Sequence, residues 1–339
     1  MKKVTTSQAA RAVVLSIKAN IPVAVWSEPG AGKSSIMAQI AKKLGWRLWD
    51  VRLSDKEPSD FALPFPKDGR LTYLMSDLLP FDTDEPGILF LDEFDRASMA
   101  VQNMALQLIL DRSVFGRKLG KNIRVVLAGN QASDIGTNQL SEAAATRMVH
   151  LYLDTTSDGA LESWAKWAED EEVSPALLSF ARFRKDIWAG EERTDLVEYA
   201  KATKRTWVMA DELYRLSKTV NFDVDDILGP IVEGCVGSAA AAEFLGWIRL
   251  SEQAPSPEEI RKDPAKAPLP SSPDVTYALS ELLVREANTD GSALGPFLTY
   301  ANRWGEEQKA YFFRRVAKLF PAVQSTAIFQ KWEKARLAP

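Results

Sequence analysis

An apolar run, "IPVAVW", ends at Trp26, and "SIMAQIAKKLG" then carries helical spacing up to Gly45. Between them stands "SEPGAGKS", residues 27–34. A strand that turns through glycines straight into a helix leaves the backbone few options. Gly30 and Gly32 let successive N–H groups point inward, and the helix N-terminus adds partial positive charge. Such a turn suits phosphate oxygens. The segment matches G-x-x-x-x-G-K-[ST] except that Ser27 occupies the first glycine position. In that pattern Lys33 reaches the β and γ phosphates, and the Ser34 hydroxyl holds Mg²⁺. Glu28, Pro29, Gly30, Ala31, Gly32 and Ser35 complete the candidate cradle. The plain alternative is a glycine turn followed by a capped helix.

Further strands follow. "WRLWDVRL", "GILFLDEFD", "IRVVLAGN" and "VHLYLD" are apolar runs separated by helical stretches. Continuous rather than alternating apolar runs indicate a parallel sheet covered on both faces, an α/β fold. The first helix, "SQAARAVVLSIKAN", places Ala10, Val13, Val14 and Ile17 on one face. Two segments interrupt the alternation. One lies between the second and third strands, where Asp68-Gly69 predicts a hairpin turn. The other, "SVFGRKLGK", predicts a shorter hairpin before the fourth strand.

Beyond about residue 155 strand patterns fade. Leu161, Trp164, Ala165 and Ala168 share a helical face, Ser174-Pro175 opens a helix, and Met209, Leu213, Leu216 and Val220 form another stripe. "APSPEEIRKDPAKAPLPSSP" reads as a linker or extended strap before a helical tail. Trp164, Trp167 and Trp207 read as packing residues, as do Trp304 and Trp332 in the tail.

Composition excludes several classes. The 339 residues carry 42 basic and 46 acidic side chains, a net charge of -4, so no general attraction to nucleic acid is built in. The single cysteine, Cys235, cannot form an internal disulfide, which fits a reducing, cytoplasmic setting. One histidine, His150, and one cysteine leave no His/Cys zinc cluster. No stretch reads as a signal peptide or a membrane span.

"ILFLDEFD" ends its apolar strand in Asp92 and Glu93. Asp92 suits a metal, and Glu93 suits the water that attacks the γ-phosphate. Alone, these are acids at a strand end; a phosphate loop upstream makes them the second part of one mechanism. Asn130, at the tip of "VVLAGNQ", can hold the same water from the other side, or be a turn residue. Arg147, before the fifth strand, can reach a neighbouring subunit's nucleotide, or form a surface salt bridge. Arg205, in "ATKRTW", is a candidate γ-phosphate contact from the same chain, or a helix-start cation.

These elements, in this order, resemble an AAA+ ATPase. The two insertions resemble the helix-2-insert clade, and "DVRLSDKEPSDF", "LDEFDRA" and "KRTW" are similar to stretches of its MoxR-type ATPases. The resemblance implies a P-loop core whose parallel strands run 5-1-4-3-2. It implies a core over 1–155, with an insert at about 54–82 and a hairpin at about 112–120, a helical lid over 156–252, a Pro-rich linker over 253–274 and a helical extension over 275–339. It implies Lys33 and Ser34 as the Walker A residues, Asp92 and Glu93 as Walker B, Asn130 as sensor 1, Arg147 as arginine finger and Arg205 as sensor 2. Arg96 is a second candidate for contact between subunits. Ser27, Asp95 in place of the common asparagine, and Lys204 in place of proline depart from the family pattern.

The implied function is ATP hydrolysis with Mg²⁺ by a ring, usually a hexamer. The ring acts with a von Willebrand factor A domain protein on a protein client. The alternative is a nucleic-acid-linked motor, with Arg117 and Lys118 on the short hairpin facing phosphate; the acidic balance argues against it. A nucleotide-binding scaffold without turnover has no use for Glu93, Asn130 and Arg147.

Overall fold

Helix α1 (Thr6–Lys18) begins at a capping box: Thr5 Oγ1 accepts from Gln8 N, and Gln8 Oε1 accepts from Thr5 N. Its buried face is Ala9, Val13, Ser16 and Ile17. Ala10 and Val14 flank that face half-buried, so the stripe is turned from the one the spacing predicts. The computed structural model describes residues 2–130, 145–190, 200–220, 223–224 and 226–337. The chain divides into two units, Met1–Trp164 and Ala165–Pro339.

In the first unit, β1 (Val23–Trp26) leads through the glycine turn into α2 (Lys33–Leu44), which ends at Gly45 in the left-handed conformation. Then come β2 (Arg47–Arg52), a short α3 (Pro58–Phe61) and the hairpin β3 (Ala62–Lys67) and β4 (Arg70–Met75). Strand β5 (Gly87–Asp92) precedes α4 (Met99–Asp111). The small hairpin β6 (Ser113–Val114) and β7 (Arg117–Lys118) precedes β8 (Ile123–Gly129), and β9 (Val149–Tyr152) closes the unit's sheet. The sheet is five-stranded and parallel, ordered β2-β5-β8-β1-β9. Counting the five sheet strands in chain order, this is 5-1-4-3-2 read from the other edge, as the resemblance implies.

Alternate residues feed the two faces. Leu89, Leu91, Val125 and Leu127 join α4 on one side. Ile88, Phe90, Val126 and Ala128 join α1 and α2 on the other. Phe90 is fully buried, a contribution of roughly 1.5–3 kcal/mol. Both hairpins turn on two left-handed residues, Asp68-Gly69 and Phe115-Gly116. The Tyr73 and Phe115 rings lie 5.1 Å apart, so the two insertions touch.

Among the described residues, helices are the regular elements that follow. They are α5 (Asp158–Asp170), α6 (Pro175–Phe183), α7 (Lys185–Ala189), α8 (Lys204–Ser217), α9 (Leu228–Val236) and α10 (Ser238–Ser251). Then follow α11 (Pro257–Lys262), α12 (Pro273–Thr289), α13 (Leu294–Ala301), α14 (Glu306–Leu319) and α15 (Ala327–Leu337). The face of α5 is buried as expected, and so are Trp207, Trp304 and Trp332. Helix α8 is different. It buries Trp207, Ala210 and Asp211, while Met209 and Leu216 are exposed. Asp211 is drawn inside because it accepts from Ser174 N and from Arg215 Nε, so a partnered carboxylate displaces the apolar stripe. The Pro-rich segment is more than a strap: it contains α11, and Ile260 and Ala267 join the core of α12 to α15.

Candidate active site

The C-terminal ends of β1, β5 and β8 are neighbours in the sheet, and each delivers one part of the site. Ligands of parallel α/β sheets sit at this edge. After β1, Gly30 and Gly32 adopt φ of 77° and 91°. A Cβ at Gly32 would meet nothing within 4 Å, so its glycine is demanded by backbone conformation alone. Ser27 has no positive φ. The first loop position here therefore does not need a glycine. Ser27 is fully buried, and its hydroxyl donates to Glu28 O at 2.9 Å.

Lys33 is the first residue of α2. Its Nζ donates to Ser27 Oγ at 2.9 Å and to Asn130 Oδ1 at 3.2 Å, with longer contacts to the carbonyls of Ser27 and Glu28. Ser34 Oγ donates to Asp92 Oδ2 at 3.0 Å. The structure thus joins Lys33, Ser34, Asp92 and Asn130 into two linked pairs. Glu28, Pro29 and Ser35 lie exposed around the loop, and Ala31 is buried beneath it.

Glu93 follows β5 in the left-handed conformation, φ 55°, and its N–H donates to Asp92 Oδ1 at 2.8 Å. Such a backbone is uncommon outside glycine and aims the side chain away from the strand direction. Its carboxylate accepts from Ser54 Oγ and lies 3.6 Å from Arg52 Nε; Arg52 is the last residue of β2 and Ser54 stands two residues beyond it. Asp50, also on β2, has its carboxyl pushed up, first by desolvation and then by the Asp92 charge. Sequence reading missed Ser54, Arg52 and Asp50. The place of Asp50 and Arg52 on the strand beside β5, with Ser54 just after it, was the available clue.

Of the three candidate arginines, Arg147 and Arg96 lie in the first unit. Arg147 is exposed and precedes β9, whose first residue pairs with Val23 at the start of β1. It lines a cavity of about 210 Å³ with Asn20, Arg112 and Arg124, at the opposite end of the sheet from Ser27 and Asn130. Arg96 is exposed on the turn after Glu93. Arg205 belongs to the second unit, as the second residue of α8. Lys204 takes the first helical position, the place proline favours, and Thr203 caps the helix. On the short hairpin, Arg117 pairs with Asp82 at 3.0 Å, both exposed. His150 has a structural place: Nδ1 accepts from Trp26 Nε1 at 3.0 Å, and Nε2 lies 2.8 Å from Ala145 O.

Residues 23–151 match the sequence profile of the AAA family, described as the ATPase family associated with various cellular activities. No curated protein matches the chain. Among solved structures, the chain is similar to a Cytophaga hutchinsonii protein named as an ATPase, at 15% identity and a TM-score of 0.36, covering 69% of this chain and 82% of that one. The RuvB Holliday junction branch migration motor of Thermotoga maritima matches at 15% identity, a TM-score of 0.38, and 71% and 67% coverage. NtrX of Brucella abortus, in complex with ATP, matches at 15% identity, a TM-score of 0.42, and 94% and 69% coverage. The chain carries an AAA ATPase domain, and its reaction is hydrolysis of ATP to ADP and phosphate. No helix of the described residues is long and apolar enough to cross a membrane.

Proposed function

We propose that the chain is a MoxR-type AAA+ remodelling ATPase. It works in the cytoplasm as a ring, a hexamer, with a von Willebrand factor A domain protein, on a protein client. The observation that carries this reading is the pair of insertions. One hairpin follows β2 and one precedes β8, and they meet through Tyr73 and Phe115 on a sheet of the AAA order. Residues 1–155 then act as the nucleotide core, 156–252 as the lid, 253–274 as the connection and 275–339 as the extension.

In this reading the loop N–H groups from Glu28 to Ser35 cradle the phosphates, and Lys33 leaves Ser27 and Asn130 to meet them. Ser34 and Asp92 offer hard oxygen donors 3.0 Å apart, which fit Mg²⁺. That ion would neutralise charge on the β and γ oxygens when bound. Glu93 takes a proton from water as the water oxygen bonds to the γ-phosphorus and the bond to the β-bridging oxygen breaks, releasing ADP and phosphate. Asn130 holds the same water. Arg147, at the far end of the sheet, serves the nucleotide of the next subunit rather than its own. Arg96 is a second contact between subunits, and Arg205 reports nucleotide state to the lid.

The test is a trap. Glu93→Gln protein is purified from its native host with ATP present, and the retained molecules are identified. Retention of a protein with a von Willebrand factor A fold supports the reading. Retained nucleic acid, released by salt and by changing Arg117 and Lys118, overturns it in favour of a nucleic-acid motor.

A further inference from the structure

Asp95 lies two residues beyond Glu93, in the turn Phe94–Arg96, and is 2% exposed. Both of its oxygens are spent on one residue. Oδ1 accepts from Asn130 N at 2.8 Å, and Oδ2 accepts from Asn130 Nδ2 at 3.2 Å. The remaining amide atom, Asn130 Oδ1, accepts from Lys33 Nζ. A carboxylate only accepts and an ammonium only donates. Held between the two, the Asn130 amide has a single satisfied orientation: Nδ2 toward Asp95, Oδ1 toward the phosphate loop.

The fold makes room for this arrangement. A Cβ on Gly129 would stand 2.8 Å from Asp95 Oδ1 and 2.6 Å from a Trp26 ring carbon. The bare backbone at Gly129 is what admits the carboxylate between β5 and β8. Asp95 thus links the strand end that carries Glu93 to the strand end that carries Asn130.

We propose that Asp95 is a positioning residue for hydrolysis, locking Asn130 so that an acceptor, Oδ1, faces the attacking water. The inference rests on the reading of Asn130 as a holder of that water. Water has two hydrogens. With one donated to Glu93 and the other to Asn130 Oδ1, an oxygen lone pair is left for the γ-phosphorus. An amide turned the other way presents a donor and misdirects the water.

Asp95→Asn removes the constraint, because one acceptor and one donor then face the two donors of Asn130. The exchange Asp95→Asn with Asn130→Asp remakes both bonds: the new amide at 95 still accepts from the backbone N–H of 130 and now donates to the new carboxylate there, whose other oxygen remains an acceptor toward Lys33. Steady-state ATP hydrolysis by full-length Asp95→Asn is expected to show kcat down about 10–100-fold, with KM within about threefold. The exchange is expected to recover most of that loss. Adding Asp95→Asn to Asn130→Ala is expected to cost little more, because the two residues act as one unit. Asp95→Asn with kcat within about twofold of the parent overturns the inference. So does an exchange variant no more active than Asp95→Asn. If the single variant does not fold, the exchange variant, with both bonds remade, decides by its kcat. Full activity in Asn130→Ala sinks the underlying reading. Loss in Asn130→Ala with full activity in Asp95→Asn sinks the inference alone.

Discussion

Lys33 Nζ donates to the Ser27 hydroxyl at 2.9 Å, so the residue that replaces the first loop glycine is also the partner of the loop lysine. A serine is tolerated there because its φ is not positive. Ser27→Gly is expected to lower stability by about 0.5–1 kcal/mol through chain entropy. It should change KM for ATP by about tenfold at most, since one hydrogen bond nets about 0.5–1.5 kcal/mol. Lys33→Ala should abolish hydrolysis. Thermal unfolding and ATP titrations check both. A large gain in rate from Ser27→Gly would show that the loop is impaired as it stands.

The Ser34–Asp92 pair predicts metal dependence. Removing Mg²⁺ with a chelator should stop hydrolysis, and Ser34→Ala should weaken metal affinity roughly 10–100-fold. Hydrolysis measured against Mg²⁺ concentration reports the shift. An unchanged midpoint in Ser34→Ala would exclude the hydroxyl as a ligand.

Glu93→Gln keeps size and backbone preference but removes the carboxylate proposed as the base. The expected fall in kcat is about 10²–10⁴-fold, with ATP binding retained. Equilibrium binding of a fluorescent ATP analogue, set beside turnover, separates the two. Loss of binding would point to misfolding of the left-handed turn at Glu93 instead.

In the second unit, Glu281 is buried between Arg182 and Arg315 and also accepts from Tyr311 OH at 2.7 Å. Removing one partner of a buried ion cluster strands the others. Glu281→Ala is expected to cost about 3–5 kcal/mol in urea unfolding, despite Glu169 contacting both arginines. A loss below about 1 kcal/mol would mean that the cluster is solvated like a surface pair.

Burial, then the Glu281 charge, holds the Tyr311 phenol far above its ordinary value of 10.0. A folded-state pKa above the unfolded one contributes stability that is full below pH 10 and fades as pH rises past it. Alkaline titration should therefore show stability falling above about pH 10, with the Tyr311 tyrosinate appearing only on unfolding. In Tyr311→Phe that part of the decline should vanish. An equal decline in both proteins would remove Tyr311 as its cause.

What the amino-acid order determined by itself was mostly local. Continuous apolar runs, the glycines of the loop, Ser174-Pro175 and Asp68-Gly69 all encode hydrogen-bonding and burial patterns within a few residues of themselves. The acids after β5 and the amide after β8 were legible too, because each ends an apolar strand. Tertiary structure decided what these residues do to one another. Lys33 meets Asn130, and Asn130 meets Asp95, only because β1, β8 and β5 are adjacent in the sheet. That adjacency arises from crossovers and not from neighbouring sequence. The same holds for α8, where the apolar stripe lost its place to Asp211 because Ser174, far along the chain, supplied the partner that lets a carboxylate be buried. Periodicity records which residues prefer to leave water. Only the assembled fold sets which polar groups find the partners that let them follow.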